Sequence, residues 1–382
     1  MNGRSAAYLV GLAAFAAAGT VWAGNGTHPR TPVLWDKPGE LDPPACLTVV
    51  DRSTDPVLHL PYAIPYEDTE VTPDEVDDSR THQFLAFCRA FDAQHEPPLW
   101  LSEADVAKAG AKGLVPPEPL GPEDVLDTNT ELAGCYTRIT GDDERRPITF
   151  EMAAMGVDWD TTGLEAGPWT VYGYTWEPVA NLWSLRPGVV LVSDGPDAPP
   201  PPPAMALEMA PGEEPYWPVG AEARFSACVA AEAGATVQLY WAEAADAPAW
   251  QPWGEAVAAP SEGTVELAAE VPAEMAGKSV LVRATITDPQ DRSYDAYLRD
   301  VAIVFDAGGD TGTTGGIGTT GGPSETTSGS GTGGSSSDTG TGTGLDTGGA
   351  GGCGCTTRSP VAPVGGWLLV PVVAILRRRR PS

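Results

Sequence analysis

The chain has 382 residues, of which 52 are acidic and 22 are basic, so its formal net charge is −30. A surface with this charge repels nucleic acid and anionic lipid, and neither is expected as a partner. The four histidines form no HExxH motif and the folded stretches contain no GxSxG motif, which excludes two common sequence signatures of hydrolases. No cofactor is predicted, because no glycine-rich phosphate loop follows a strand-like segment.

The N-terminus has the pattern of a secretory signal peptide. Arg4 is followed by an apolar run from Tyr8 to Ala18, and then by the small residue Ala23. The run is shorter than the roughly 20 residues that a membrane-spanning helix needs. We therefore predict a signal peptide at residues 1–23, cleavage after Ala23, and export of the protein.

Two stretches, residues 30–195 and 205–306, have the composition of folded β-structure. Short segments rich in Val, Ile, Thr and aromatic residues alternate with clusters of Gly, Pro and Asp. The predicted fold class is therefore all-β. One helix is expected in "SEADVAKAGAKG", capped by Ser102 and ended by Gly110 or Gly113. The Pro-rich linker is residues 196–204, and its run from Pro199 to Pro203 is predicted to be a stiff polyproline II spacer of about 15 Å.

The two folded stretches resemble each other. Cys88 precedes Trp100 by twelve residues, and Cys228 precedes Trp241 by thirteen. The later segments "TVYGYTWEPVANLWSLRPGVVLVSD" and "LVRATITDPQDRSYDAYLRDVAIVFD" also match, which indicates a duplicated unit whose first copy is enlarged by about sixty residues. A Cys followed by a Trp at this spacing resembles strands B and C of an immunoglobulin-like sandwich, without the second Cys of that family. Two tandem immunoglobulin- or fibronectin-like sandwiches are expected.

Four cysteines lie in the folded stretches, and in an exported protein they allow three disulfide pairings. If Cys88 and Cys228 are equivalent by the repeat, both are buried thiols, and Cys46 and Cys135 form the disulfide. The alternation in "ARFSACV" leaves an alternative open. It places Cys228 on the face opposite Phe225, from which it could pair with a cysteine of the first stretch.

Three residue groups are candidates for chemistry or binding. His82 or His95, combined with acidic residues of the first folded stretch, would form the site of a surface hydrolase, which is the alternative to a binding protein. The acidic loop "YEDTEVTPDEVDDSR" would bind calcium in a calcium-stiffened adhesin, although its spacing is not that of a calcium loop and a solvated loop is favoured. Among the tryptophans, Trp183 and Trp253 are predicted to be exposed ligand contacts, and Trp100 and Trp241 to be core residues.

The C-terminal part is predicted to be an attachment signal. Residues 307–352 are nearly all Gly, Thr and Ser, which is typical of a disordered stalk. Residues 353–382 contain Cys353 and Cys355, an uncharged apolar segment at 360–376, and the cluster Arg377, Arg378, Arg379 and Arg380. The two cysteines lack the second ligand pair of a zinc site.

The order of these features resembles the myxobacterial C-terminal sorting signal, MYXO-CTERM. The resemblance covers about residues 352–382 and implies recognition by an intramembrane sorting protease, cleavage near the Cys motif, and anchoring at the cell surface or outer membrane. The resulting prediction is an exported, anchored binding or display protein without catalytic activity. Its partners would be the sorting protease, the membrane, and an unidentified envelope or extracellular ligand.

Overall fold

The computed structural model describes residues 30–114 and 119–306. The predicted signal peptide with its cleavage after Ala23, the stalk at 307–352 and the sorting segment at 353–382 lie outside these residues. Within the described residues, no helix is long and apolar enough to cross a membrane.

The first sandwich is built on a seven-stranded sheet. Its elements are β1 (Leu47–Asp51), β2 (Val57–Leu60), β3 (Thr81–Phe87), α1 (Glu103–Ala111), β4 (Tyr136–Arg138), β5 (Arg146–Pro147), α2 (Phe150–Ala154), β6 (Val157–Asp160), β7 (Gly167–Trp176), β8 (Leu182–Leu185) and β9 (Val189–Ser193). The sheet order is β1-β9-β7-β3-β4, with β5 on β3, β8 on β7, and β1 parallel to β9. Strands β2 and β6 form a separate pair.

Both faces of this sheet are covered. One face packs on β2, β6 and the N-terminal segment, through a core that includes Val33, Phe84 and Trp159. The other face packs on α1 and the surrounding insertion, through a core that includes Phe87 and Trp183. All ten residues of β7 are consequently buried. The extra length of the first copy therefore serves to cover the second face of the sheet.

The predicted helix is confirmed as α1. The Ser102 hydroxyl accepts a hydrogen bond from the Asp105 backbone N–H at 3.1 Å, so it satisfies one of the free donors of the first turn. The helix ends at Ala111, two residues before Gly113, whose φ of +74° favours glycine. Gly110 lies inside the helix.

The second sandwich consists of two sheets that pack face to face. Its strands are β10 (Ala204–Met209), β11 (Tyr216–Pro218), β12 (Glu222–Ala230), β13 (Thr236–Glu243), β14 (Gln251–Ala258), β15 (Glu262–Glu270), β16 (Ser279–Thr287), β17 (Ser293–Tyr297) and β18 (Ala302–Phe305). The sheets have the orders β10-β12-β15 and β11-β18-β16-β13-β14, with β17 on β16. The fold is therefore all-β, with two tandem immunoglobulin-like sandwiches.

The strand pairing shows which strands of the two sandwiches correspond. In the first sandwich the parallel pair β1–β9 lies beside the hairpin β7–β8, and β7 also pairs with β3. In the second sandwich the parallel pair β11–β18 lies beside the hairpin β16–β17, and β16 also pairs with β13. Thus "THQFLAF" of β3 corresponds to "TVQLYWAE" of β13. The predicted equivalence of Cys88 and Cys228 is wrong, because Cys88 follows β3 whereas Cys228 lies in β12 of the opposite sheet.

The Pro-rich linker does not hold the sandwiches apart. Pro203 is buried, and β10 begins immediately after it. Val189 and Leu191 of β9 belong to the hydrophobic core of the second sandwich. Both sandwiches lie in one compact unit. The prediction of a stiff spacer was wrong because the apolar surface around β9 and β10 is buried by direct contact between the sandwiches.

Candidate functional site

Two disulfides organise the region where the sandwiches meet. Cys46 bonds to Cys228 with a Cα–Cα distance of 6.0 Å, and Cys88 bonds to Cys135 with a Cα–Cα distance of 5.0 Å. The predicted Cys46–Cys135 pair and the two free thiols are wrong, because Cys88 and Cys228 do not occupy equivalent strands of the two sandwiches. The alternative prediction, which was based on the side-chain alternation in "ARFSACV", is confirmed: Cys228 pairs with a cysteine of the first sandwich.

The Cys88–Cys135 disulfide closes the insertion that contains α1, and hydrogen bonds fix this insertion on the sheet. The Tyr174 hydroxyl donates to the Leu99 carbonyl at 2.9 Å, and the Trp183 indole N–H donates to the Pro97 carbonyl at 3.0 Å. The Leu126 backbone N–H donates to the Trp100 carbonyl at 2.8 Å, which joins the two ends of the insertion. The segments 89–100 and 120–132 are therefore held side by side.

Between these two segments and the 246–248 loop of the second sandwich lies a cavity of about 550 Å³, which we call the acidic groove. Its apolar lining includes Phe91, Leu99, Trp100 and Leu132. Its carboxylates come from all three segments: Asp92, Glu96, Glu123, Asp124, Glu131 and Asp246. A concave surface at a domain junction is a common place for a ligand site.

Most of the groove's negative charge is not neutralised locally. Within residues 30–114 and 119–306, no basic side chain lies within 4 Å of the carboxylates of Glu96, Glu123, Glu131 and Asp246. Desolvation raises the pKa of Glu96, and the charge of Arg299 offsets only part of this effect. The groove therefore presents a concentrated negative potential on an apolar floor.

His95 lies in the groove and bridges the two sandwiches. Its Nδ1 is 2.8 Å from an Asp92 carboxylate oxygen, and its Nε2 is 3.2 Å from the Asp246 carbonyl oxygen. The described lining of the groove contains no Ser, Thr or Cys side chain that could act as a nucleophile beside this pair. The His–Asp contact therefore fastens the junction and does not form a catalytic triad.

His82 is far from any such role. Its side chain is completely buried on the β3 face that packs on Tyr62, whereas the groove adjoins the opposite face of the same sheet. Its Nε2 donates to the Thr31 carbonyl oxygen at 2.8 Å. Burial lowers the pKa of His82 to about 4. A hydrolase site at His82 is therefore wrong, whereas His95 does lie with carboxylates in the groove.

The buried imidazole makes stability depend on pH between about 4 and 6.5. Between pH 6.5 and about 4 the unfolded chain binds a proton that His82 in the folded protein does not, so the free energy of unfolding falls as the pH is lowered. The expected loss is about 3 kcal/mol. Urea denaturation across this range should show the loss in wild type and in His59→Gln, whose imidazole is exposed, but not in His82→Gln. An equal loss in all three proteins would contradict the assignment.

The acidic loop is neutralised by cations. Arg80 bonds to both Asp68 and Glu75, at 3.0 and 2.8 Å, and these two carboxylates are buried. Asp78 pairs with Lys108 of α1, and Asp77 pairs with Lys112, the residue that follows α1. The predicted solvated loop is therefore confirmed for residues 69–74, which are exposed, and wrong for Asp68 and Glu75, which are buried. In the part of the chain that the structure describes, no three His, Cys, Asp or Glu side chains converge as metal ligands. The remaining carboxylates of the acidic loop, Glu67, Glu70 and Asp74, therefore do not form a calcium site with the other carboxylates of the loop.

The predicted exposure of two tryptophans is wrong. Trp183 is 4% exposed because the insertion covers it, and Trp253 is 3% exposed because it packs on Phe225 and donates to the Glu270 carbonyl oxygen at 2.7 Å. Trp100 and Trp241 are core residues, as predicted. The residues of the groove were missed by sequence reasoning. The signal that could have found them is the acidic segment "GPEDVLDTNTE" between Cys88 and Cys135.

Comparisons with known proteins add no family. No family model matches the chain, and no curated protein matches its sequence. A tetra-tandem repeat from the extending region of a large adhesion protein is 14% identical over 44% of this chain and 37% of that one, with a TM-score of 0.21. An ectodomain fragment of ICAM-5 is 10% identical over 73% and 51%, with a TM-score of 0.19. The N-terminal four Ig domains of Dscam1 isoform 8.4 are 9% identical over 72% and 46%, with a TM-score of 0.17.

The chain thus spans between 37% and 51% of the length of these structures. At such TM-scores the superpositions carry no argument about this protein. The fold described above rests on its own strand pairing and register.

Proposed function

We propose that this chain is an exported binding or display protein, anchored at the cell surface after processing of its C-terminal sorting signal, and that it has no catalytic activity. The observation that carries the proposal is the pair of disulfides, because disulfides persist in oxidising compartments outside the cytosol. The resemblance of residues 352–382 to the MYXO-CTERM signal supplies the anchor. The acidic groove is the binding surface that the proposal assigns to the displayed body.

The anchor is tested by the tail cysteines. In the double variant Cys353→Ala and Cys355→Ala, the protein should leave the cell surface and collect in the medium or periplasm, because the processing and attachment residues are missing. Cell fractionation and surface labelling measure the change. The matched control is Thr356→Ala and Thr357→Ala, which alters the neighbouring positions and should leave surface retention unchanged. Full surface retention of the cysteine variant would refute the sorting mechanism.

A further inference from the structure

We propose that the acidic groove binds a linear peptide segment of an envelope protein that carries several Lys or Arg side chains. The proposal rests on the binding function proposed above and adds the chemical class of the ligand. The volume of the groove, about 550 Å³, lies within the range of 300–1,000 Å³ that is usual for ligand pockets. Its two insertion segments are fixed by buried hydrogen bonds and a disulfide, so the site is formed before a ligand arrives.

The charge distribution of the groove selects a cation. Glu96, Glu123 and Glu131 are solvent-accessible and form no ion pair within the described residues, although the charge of Arg299 acts on Glu96, whereas Asp68, Glu75, Asp77 and Asp78 of the acidic loop are paired with arginine or lysine. Like charges held around one concavity repel each other, and a positively charged ligand relieves this repulsion. Nucleic acid and other anionic ligands are disfavoured by the same charges.

The apolar floor selects a ligand that also offers side-chain contacts. Within the groove, the guanidinium of Arg89 lies 5.0 Å from the ring centroid of Phe91. The ring of Phe91 therefore already accepts a guanidinium group of the protein itself, a kind of contact that contributes to the binding of cations.

A spread-out polycation fits the groove better than the two simplest alternatives. A metal ion needs three or more ligands at one point, and no such cluster exists among the described residues. A second copy of this chain brings a formal charge of −30 to an acidic surface, so self-association through the groove is opposed by repulsion. A peptide spreads its charges along its chain, and the groove carboxylates likewise come from three separate segments.

The test uses the full-length protein and a fluorescent nine-residue peptide in which Lys or Arg alternates with Leu. Fluorescence anisotropy should show saturable binding that weakens as salt is raised, because salt screens exposed charges. The triple variant Glu96→Gln, Glu123→Gln and Glu131→Gln should bind at least about tenfold more weakly, as three exposed charge pairs are lost. The matched control, Glu70→Gln, Glu255→Gln and Glu262→Gln, removes the same charge from exposed, unpaired positions elsewhere and should change the Kd less than about twofold.

Equal weakening in both triple variants would overturn the proposal, because the peptide would then respond only to net charge. Spermine binding as tightly as the peptide would overturn the peptide class in favour of a small polyamine. Tighter binding of a peptide with the sequence of residues 366–382 would overturn the external partner in favour of this chain's own tail. Surface retention is measured separately with the tail variants, so failure of the anchor and failure of the groove are distinguishable.

Discussion

Replacing Cys46 and Cys228 together by serine is expected to lower the free energy of unfolding by about 5 kcal/mol. The bond joins residues 182 positions apart, and on a chain-entropy model the loss of so long a cross-link gives the unfolded chain much additional freedom. Folding to the same structure is still expected at low temperature, because the core shared by β9 and the second sandwich remains. Urea denaturation of the wild type and the variant under non-reducing conditions measures the difference.

The control for this prediction is the double variant Cys88→Ser and Cys135→Ser. Its bond spans 47 positions, so the same model gives a loss of about 4 kcal/mol. The two variants differ more clearly in function. Removing the Cys88–Cys135 bond removes a restraint on the insertion that lines the acidic groove. Removing the bond between the sandwiches leaves that restraint in place. An unchanged urea midpoint in the Cys46 and Cys228 variant would show that this bond does not restrain the unfolded chain as argued.

The second large effect is expected from Arg80→Met, which should destabilise the protein by about 3–5 kcal/mol. The Arg80 side chain is 6% exposed and neutralises the buried carboxylates of Asp68 and Glu75. Methionine has a similar length but no charge, so both carboxylates would remain buried without this partner. The φ of +57° at this position is equally unfavourable for both residues, so the backbone contributes little to the difference.

The matched control is Arg224→Met. Arg224 pairs with Glu222 at 2.7 Å, but the two side chains are 59% and 53% exposed, so a loss below about 1 kcal/mol is expected. Thermal and urea denaturation of both variants measure the contrast. If Arg80→Met costs no more than Arg224→Met, the buried network does not stabilise the fold.

The same network makes a prediction about acid. Burial alone would raise the pKa of Glu75, but the hydrogen bonds from Thr72 and Arg80 outweigh it, and the pKa lies below the ordinary value of 4.5. Because the folded pKa is the lower one, the stabilisation is present above pH 4.5 and is lost as the pH falls below it. In Arg80→Met this acid-induced loss should be smaller, since the main cation that lowers the pKa is gone.

The parts of the fold that depend on local sequence could be predicted. The strand-rich segments, the two folded stretches and the cap at Ser102 are visible in short windows, because side-chain alternation and capping act between near neighbours. The correspondence between the repeats failed because a Cys–Trp spacing was matched instead of the longer similarity between "THQFLAF" and "TVQLYWA". The same one-strand error in the correspondence led to the wrong Cys46–Cys135 disulfide, because disulfide pairing depends on which sheet each cysteine occupies.

The candidate site could not be predicted because it is assembled from distant segments. Glu96, Glu131 and Asp246 become neighbours only when the insertion folds over the sheet and the second sandwich packs beside it. Trp183 appeared exposed for the same reason, since the residues that cover it lie some 85 positions away in the chain. The net negative charge was visible in the sequence, but its division into paired and unpaired carboxylates was not.

The bond between Cys46 and Cys228 also changes what a protease can do to the molecule. A single cut anywhere from residue 47 to residue 227, including one in the Pro-rich linker, leaves both fragments covalently joined. Cuts between residues 89 and 134 are further bridged by Cys88 and Cys135. Outside the cell, where proteases are present and reductants are scarce, a molecule cut in this span would keep its first sandwich, and release of that sandwich by such a cut would also require reduction.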